Sequence, residues 1–155
     1  MSTIFHTERV SYVSGGIHVT LNLSRLAQRT KQAQRWLGDR VLEDCKACMP
    51  LLTGSLQQRS HTEDDGKKVV FPGPYARYLY GGKVMVDSVT GKGPRKIPTG
   101  PGEYVLRFRK GAKLVATNRP LKYSNPQAVP EWFEVAKAKY GDFWLRGVKE
   151  IIGGK

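Results

Sequence analysis

SRLAQRTKQAQRWLGDRVLEDCKACMP, residues 24–50, is the stretch whose reading decides the fold. Leu26, Thr30, Ala33, Leu37, Val41, Cys45 and Cys48 recur at spacings of three and four, and Trp36, Leu42 and Met49 widen the stripe. Arg25, Arg29, Lys31, Arg35 and Arg40 fall mainly off it. An apolar stripe of that period with a cationic remainder predicts an amphipathic helix of about seven turns. Ser24 stands where a side-chain N-cap is wanted, and Pro50 stops the helix because it has no backbone donor to continue it.

Upstream, Ile17, Val19, Leu21 and Leu23 alternate with His18, Thr20 and Asn22, the period of a half-buried strand. Gly15-Gly16 supplies a turn before it, and residues 1–16 read as a mobile arm or an edge strand. Met1 to Val13 lack the basic-then-apolar pattern of a secretory leader, and no apolar run approaches the ~20 residues of a membrane span. The chain is therefore expected to stay in the cytoplasm where it is made, away from membranes.

Downstream, Leu56 to Thr62 is predicted as a strand, Asp64-Asp65-Gly66 as a hairpin turn that tolerates positive backbone angles, and Lys67 to Phe71 as the return strand. Pro72-Gly73-Pro74 breaks the pattern, and Tyr75 to Leu79 reads as a short helical turn ending at Gly81-Gly82. Pro130 leads into a last helix, Glu131 to Ile152, with an aromatic face of Trp132, Tyr140, Phe143 and Trp144. Gly141 and Gly147 within it predict a kink or a shortened helix.

Residues 83–120 have a different character. Gly and Pro are frequent, and Lys92, Arg95, Lys96, Arg107, Arg109, Lys110, Lys113 and Arg119 outnumber Asp87 and Glu103. Such an insertion in a small domain reads as a projecting basic loop or hairpin, with Tyr104 to Phe108 pairing Lys113 to Ala116 across the Lys110-Gly111 turn. Its seven candidate contact residues for a partner or DNA are Lys92, Arg95, Lys96, Arg107, Arg109, Lys110 and Lys113. Tyr104 and Phe108 add the aromatic surfaces on which nucleic-acid bases stack.

The chain has 155 residues, a length that suits one domain, and 39% of them are apolar. Its formal net charge of +13 raises the prior for an acidic partner, protein or nucleic acid. Catalytic chemistry finds little footing. Cys45-Lys46-Ala47-Cys48 sits at the wrong end of a helix for a redox pair, where the dipole opposes a thiolate, and a structural zinc would need ligands that are missing. Two thiols packed on the core stripe is the better account. His6, His18 and His61 are scattered, and no phosphate loop or nucleophile motif appears. No enzyme, cofactor or metal site is expected.

The order of features along the chain then carries a resemblance. Pro50-Leu51-Leu52-Thr53-Gly54-Ser55-Leu56 closes a helix, and a hairpin follows. Pro74-Tyr75-Ala76-Arg77-Tyr78-Leu79-Tyr80-Gly81-Gly82 comes next, and Pro130-Glu131-Trp132-Phe133 opens the last helix. This resembles the minor capsid proteins of tailed bacteriophages, close to the tail-completion and head–tail connector, or neck, group. The matching positions are Pro50, Thr53, Gly54, Leu56, Pro74, Tyr75, Ala76, Arg77, Gly81 and Trp132.

The resemblance implies an α+β fold: a small, mainly antiparallel β-sheet with the long helix and the C-terminal helix packed on one face. It implies a structural virion protein acting in virus assembly, without catalysis, as an oligomeric ring of about six or twelve copies at the neck. The ring would join the DNA-filled head to the tail and extend the DNA channel. Its partners would be head-closure or connector proteins and tail-terminator or tail-tube proteins, with packaged double-stranded DNA within reach. The alternative from another class is a basic module that binds DNA without sequence preference.

Overall fold

The computed structural model describes residues 9–51, 54–73 and 75–153. Residues 1–8 of the expected arm lie outside them, as do Thr53 and Pro74. The chain opens with β1 (Arg9–Ser14) and β2 (Ile17–Asn22), an antiparallel hairpin turned by Gly15 and Gly16 at positive φ. Residues 9–14 therefore take the edge-strand form of the two expected for the opening segment.

α1 (Ser24–Cys48) follows the predicted stripe. Ser24 is its first helical residue rather than its cap. Its backbone N–H donates to Asn22 Oδ1 at 3.0 Å, so the asparagine two residues earlier satisfies that end. At the other end Met49 is extended at ψ 150°, the conformation that a following proline imposes.

α2 (Ser55–Arg59) occupies most of the segment predicted as a strand. Gly54, at φ 74°, reverses the chain there, and Gln58 N–H and Ser60 N–H donate to Gly54 and Leu56 carbonyls. The Ser60 hydroxyl donates to the Leu56 carbonyl as well, at 2.6 Å. Local helical bonding thus wins over ladder pairing until β3 (His61–Glu63), which pairs with β4 (Lys68–Val70) across the expected Asp64-Asp65-Gly66 turn. That turn is pressed onto α1. A Cβ on Gly66 would fall 2.7 Å from Arg35 Cα, and one on Gly38 would fall 2.6 Å from the Gly66 carbonyl oxygen.

α3 (Ala76–Gly81) is the expected short helix, ended by Gly82 in the left-handed region. Beyond it come β5 (Lys83–Asp87), β6 (Arg95–Gly100), β7 (Glu103–Arg107) and β8 (Leu114–Pro120). α4 (Trp132–Gly153) then runs unbroken through Gly141 and Gly147, so neither the kink nor the shortening occurs. Gly147 has a packing reason instead: it leaves room for the Trp36 ring.

α1 and α4 pack antiparallel. Arg29 Nη1 donates to the Ile152 carbonyl at one end, and Val129 N–H donates to the Cys48 carbonyl at the other. Val41, Cys45 and Met49 of the α1 side meet Trp132, Ala136 and Trp144 of α4 in the buried core. Inside this interface the Asp44 carboxylate accepts the Trp144 Nε1–H at 2.7 Å and pairs with Arg40 at 3.1 Å, so the buried charge is compensated. Cys45 belongs to the core, where burial first, then Cys48 and Asp44, push its thiol pKa up to about 12. No helix among the described residues is long and apolar enough to cross a membrane.

The fold is α+β. The antiparallel pairing is spread over four two-stranded ladders, β1-β2, β3-β4, β5-β8 and β6-β7, among the described residues.

Candidate docking cleft and basic insertion

The insertion is built differently from the predicted hairpin. Tyr104 to Arg107 lie in β7, whose partner is β6, with Arg95 opposite Arg107 and Ile97 opposite Val105. Leu114 to Ala116 lie in β8, which returns to β5, with Val86 opposite Val115. The Pro101-Gly102 turn, with Gly102 at φ 77°, closes β6 onto β7 and takes the role expected of Lys110-Gly111.

Asp87 holds the two ladders together. It is 3% exposed, and its carboxylate accepts Arg109 Nε–H at 2.8 Å, Arg109 Nη2–H at 3.2 Å and Val89 N–H at 3.0 Å. The Arg109 hydrogen bonds, chiefly, hold its pKa down at about 2. Backbone bonds from Asp87 N–H to the Lys92 carbonyl and from Ser88 N–H to the Lys113 carbonyl complete the junction. Arg109 is thereby a structural clamp and leaves the set of free contact residues. Its signal in the sequence was Asp87 itself, an acid isolated in a long cationic stretch.

The other six candidates, Lys92, Arg95, Lys96, Arg107, Lys110 and Lys113, are exposed, and none forms an ion pair among the described residues. Lys96 lies over the Tyr104 ring, 4.5 Å from its centroid. Arg95 and Arg107 are cross-strand partners and share a face of the ribbon, a placement of like charges that destabilises a hairpin in isolation.

The motif positions fall into two groups. One group meets around Trp132, which is 1% exposed. Phe71 and Tyr80 meet it in near-perpendicular ring pairs at centroid distances of 5.7 and 4.8 Å. Asn125 Nδ2 donates to the Met49 carbonyl and Glu131 N–H to the Tyr80 carbonyl, so the segment before α4 ties the end of α1 to α3. Pro50 and Ala76 are buried and Leu56 packs against this core. Gly82 rather than Gly81 has the left-handed backbone, and a Cβ on it would run into the Pro130 ring.

Tyr75 and Arg77 face the other way. Tyr75 precedes α3, is 44% exposed, and its hydroxyl donates to the Leu106 carbonyl at 3.2 Å. With Arg77, Tyr78, Arg107, Phe108 and Leu114 it lines an open cleft of about 290 Å³ between α3 and the insertion. The Arg77 guanidinium lies 4.6 Å above the Tyr78 ring and donates to its hydroxyl. Tyr78 and Leu114 carried no separable signal in the sequence, because the residues that surround them come from distant segments. Among the described residues, no cluster of His, Cys, Asp or Glu has an arrangement that would hold a metal ion. No family model, curated protein or solved structure matches this chain.

Proposed function

We propose that this chain is a structural subunit of a tailed-bacteriophage virion, one of about six or twelve copies in a ring at the head–tail junction. The observation that carries the reading is the meeting of Leu56, Leu79 and Tyr80, from separated motif segments, with Trp132 in one core. These parts of the ordered pattern thus share one core, while Tyr75 and Arg77 of the same pattern line the cleft. The work of such a subunit is mechanical: it extends the DNA channel, caps the filled head and offers the tail a surface.

The two-stranded ribbons β1-β2 and β6-β7 suit that role. Two-stranded hairpins are at best marginally stable alone, so ribbons of this kind gain order from neighbouring subunits. The partners are further copies of this chain, head-closure or connector proteins, and tail-terminator or tail-tube proteins, with the packaged duplex within reach.

Native mass measurement on the purified chain, alone and with the adjoining neck proteins, tests the reading. A closed assembly at a multiple of 17.4 kDa is expected. Deleting the gene from its phage should leave DNA-filled heads without tails. A chain that stays monomeric in both mixtures, and binds free duplex DNA with a steep salt dependence, would instead be a basic DNA-binding module.

A further inference from the structure

We infer that the cleft between α3 and the basic insertion is a docking site for an acidic peptide segment of a partner protein, one that carries an apolar side chain next to a carboxylate. The inference deepens the neck reading by naming the chemistry of one partner contact, and it rests on that reading only for who the partner is.

Three observations point to this occupant. The floor of the cleft is apolar and aromatic, formed by Tyr75, Tyr78, Phe108 and Leu114, while its cations are the guanidiniums of Arg77 and Arg107. Neither arginine has an acidic partner among the described residues, and Arg77 is positioned by Tyr78, over its ring and hydrogen-bonded to its hydroxyl, leaving its remaining donors less entropy to lose on binding a carboxylate. Arg95 stands directly across from Arg107 on the same face. Two like charges in that position weaken the ribbon until an anion lies between or beside them.

Size and shape separate the candidate occupants. At about 290 Å³ and open to solvent, the cleft lies at the bottom of the roughly 300–1,000 Å³ typical of enclosed small-molecule sites. Duplex DNA presents a convex row of phosphates with its bases stacked inside, so it would reach the arginines and leave the Phe108–Leu114 floor bare. A peptide fills both parts, with its side chain on the floor and its carboxylates on the arginines. Tyrosine and arginine are also the residue types that dominate binding energy at protein interfaces.

The test is selection of a displayed library of random seven-residue peptides on the full-length chain. Synthetic versions of the recovered peptides are then titrated by fluorescence anisotropy against wild type, R77Q/R107Q and the control K92Q/K110Q, each checked for unchanged thermal unfolding. The expected result is a consensus of Asp or Glu beside Phe, Tyr, Trp or Leu. Binding should weaken at least ten-fold in R77Q/R107Q and stay within two-fold in K92Q/K110Q.

Recovery of no such consensus would overturn the proposal. So would equal weakening in both variants, which would mean bulk charge alone. A 20-base-pair duplex that loses binding on R77Q/R107Q substitution and displaces the peptides would reassign the site to nucleic acid. Because the assay needs no ring, its failure beside intact ring formation would remove the cleft and leave the neck reading standing.

Discussion

Replacing Gly141 and Gly147 by alanine, one at a time, separates helix propensity from helix packing within a single element. Both glycines lie in the interior of α4 and neither has a positive φ. Each alanine should therefore gain the same intrinsic helix term, about 1 kcal/mol. At Gly141 a new Cβ meets only Lys137 Cγ at 4.0 Å, an ordinary contact, so that gain is kept. At Gly147 it lands within 2.7 Å of three atoms of the Trp36 six-membered ring. That ring is rigid, and its own neighbour Phe143, 6.0 Å away between centroids, carries Arg40 on its face. Trp36 cannot move without disturbing both.

Overpacking of this kind costs about 1–3 kcal/mol, and a rigid indole belongs at the upper end, which leaves G147A about 2 kcal/mol less stable than wild type. For a domain of this size each kcal/mol moves the melting temperature by roughly 2–4 °C. Thermal unfolding followed by circular dichroism should then show G141A melting above wild type and G147A below it, about 6–12 °C apart. If G147A melts at or above G141A, the packing of α1 on α4 through Trp36 is wrong as described.

Asp87→Asn should lower stability at neutral pH by breaking the Arg109 clamp. Because the folded-state pKa is depressed to about 2, below the ordinary carboxylate value, the clamp's contribution is present above about pH 4 and is lost as pH falls towards 2. Wild-type and D87N unfolding curves should therefore converge in that window, and a difference that persists at pH 2 would refute the clamp. Trp132→Ala should cost about 3–5 kcal/mol in denaturant unfolding. Trp132→Phe should cost less than half as much, because it also removes an indole N–H that finds no hydrogen-bond partner among the described residues. In thiol labelling at pH 8, Cys45 should stay unmodified until the protein is unfolded, since it is fully buried with its pKa at about 12. Fast labelling of Cys45 in the native state would contradict the core position.

Much of the fold was legible where the deciding interaction is local. The α1 stripe, the proline that ends it, the Asp64-Asp65-Gly66 turn and the aromatic face of α4 are all set by residues within a few positions of one another. The segment Leu56 to Thr62 misled because its apolar and polar residues suit a strand and a helical turn equally, and the choice fell to Gly54 and the Ser60 hydroxyl. The cleft was half legible. Tyr75, Arg77, Arg107 and Phe108 stood out as candidates, but nothing in the sequence said that they share one surface.

The sequence alone thus determined the two long helices, the Asp64-Asp65-Gly66 turn and the cationic character of residues 83–120, because propensity, turn chemistry and charge depend on near neighbours. The tertiary structure alone decided strand partnership. β5 closes with β8 around the whole β6-β7 ribbon, since Asp87 and Arg109 meet across 22 residues and no local period encodes that meeting. It also decided which cations remain free. Arg109 and Arg107 are two residues apart, yet one is clamped by a buried carboxylate and the other is left open to a partner.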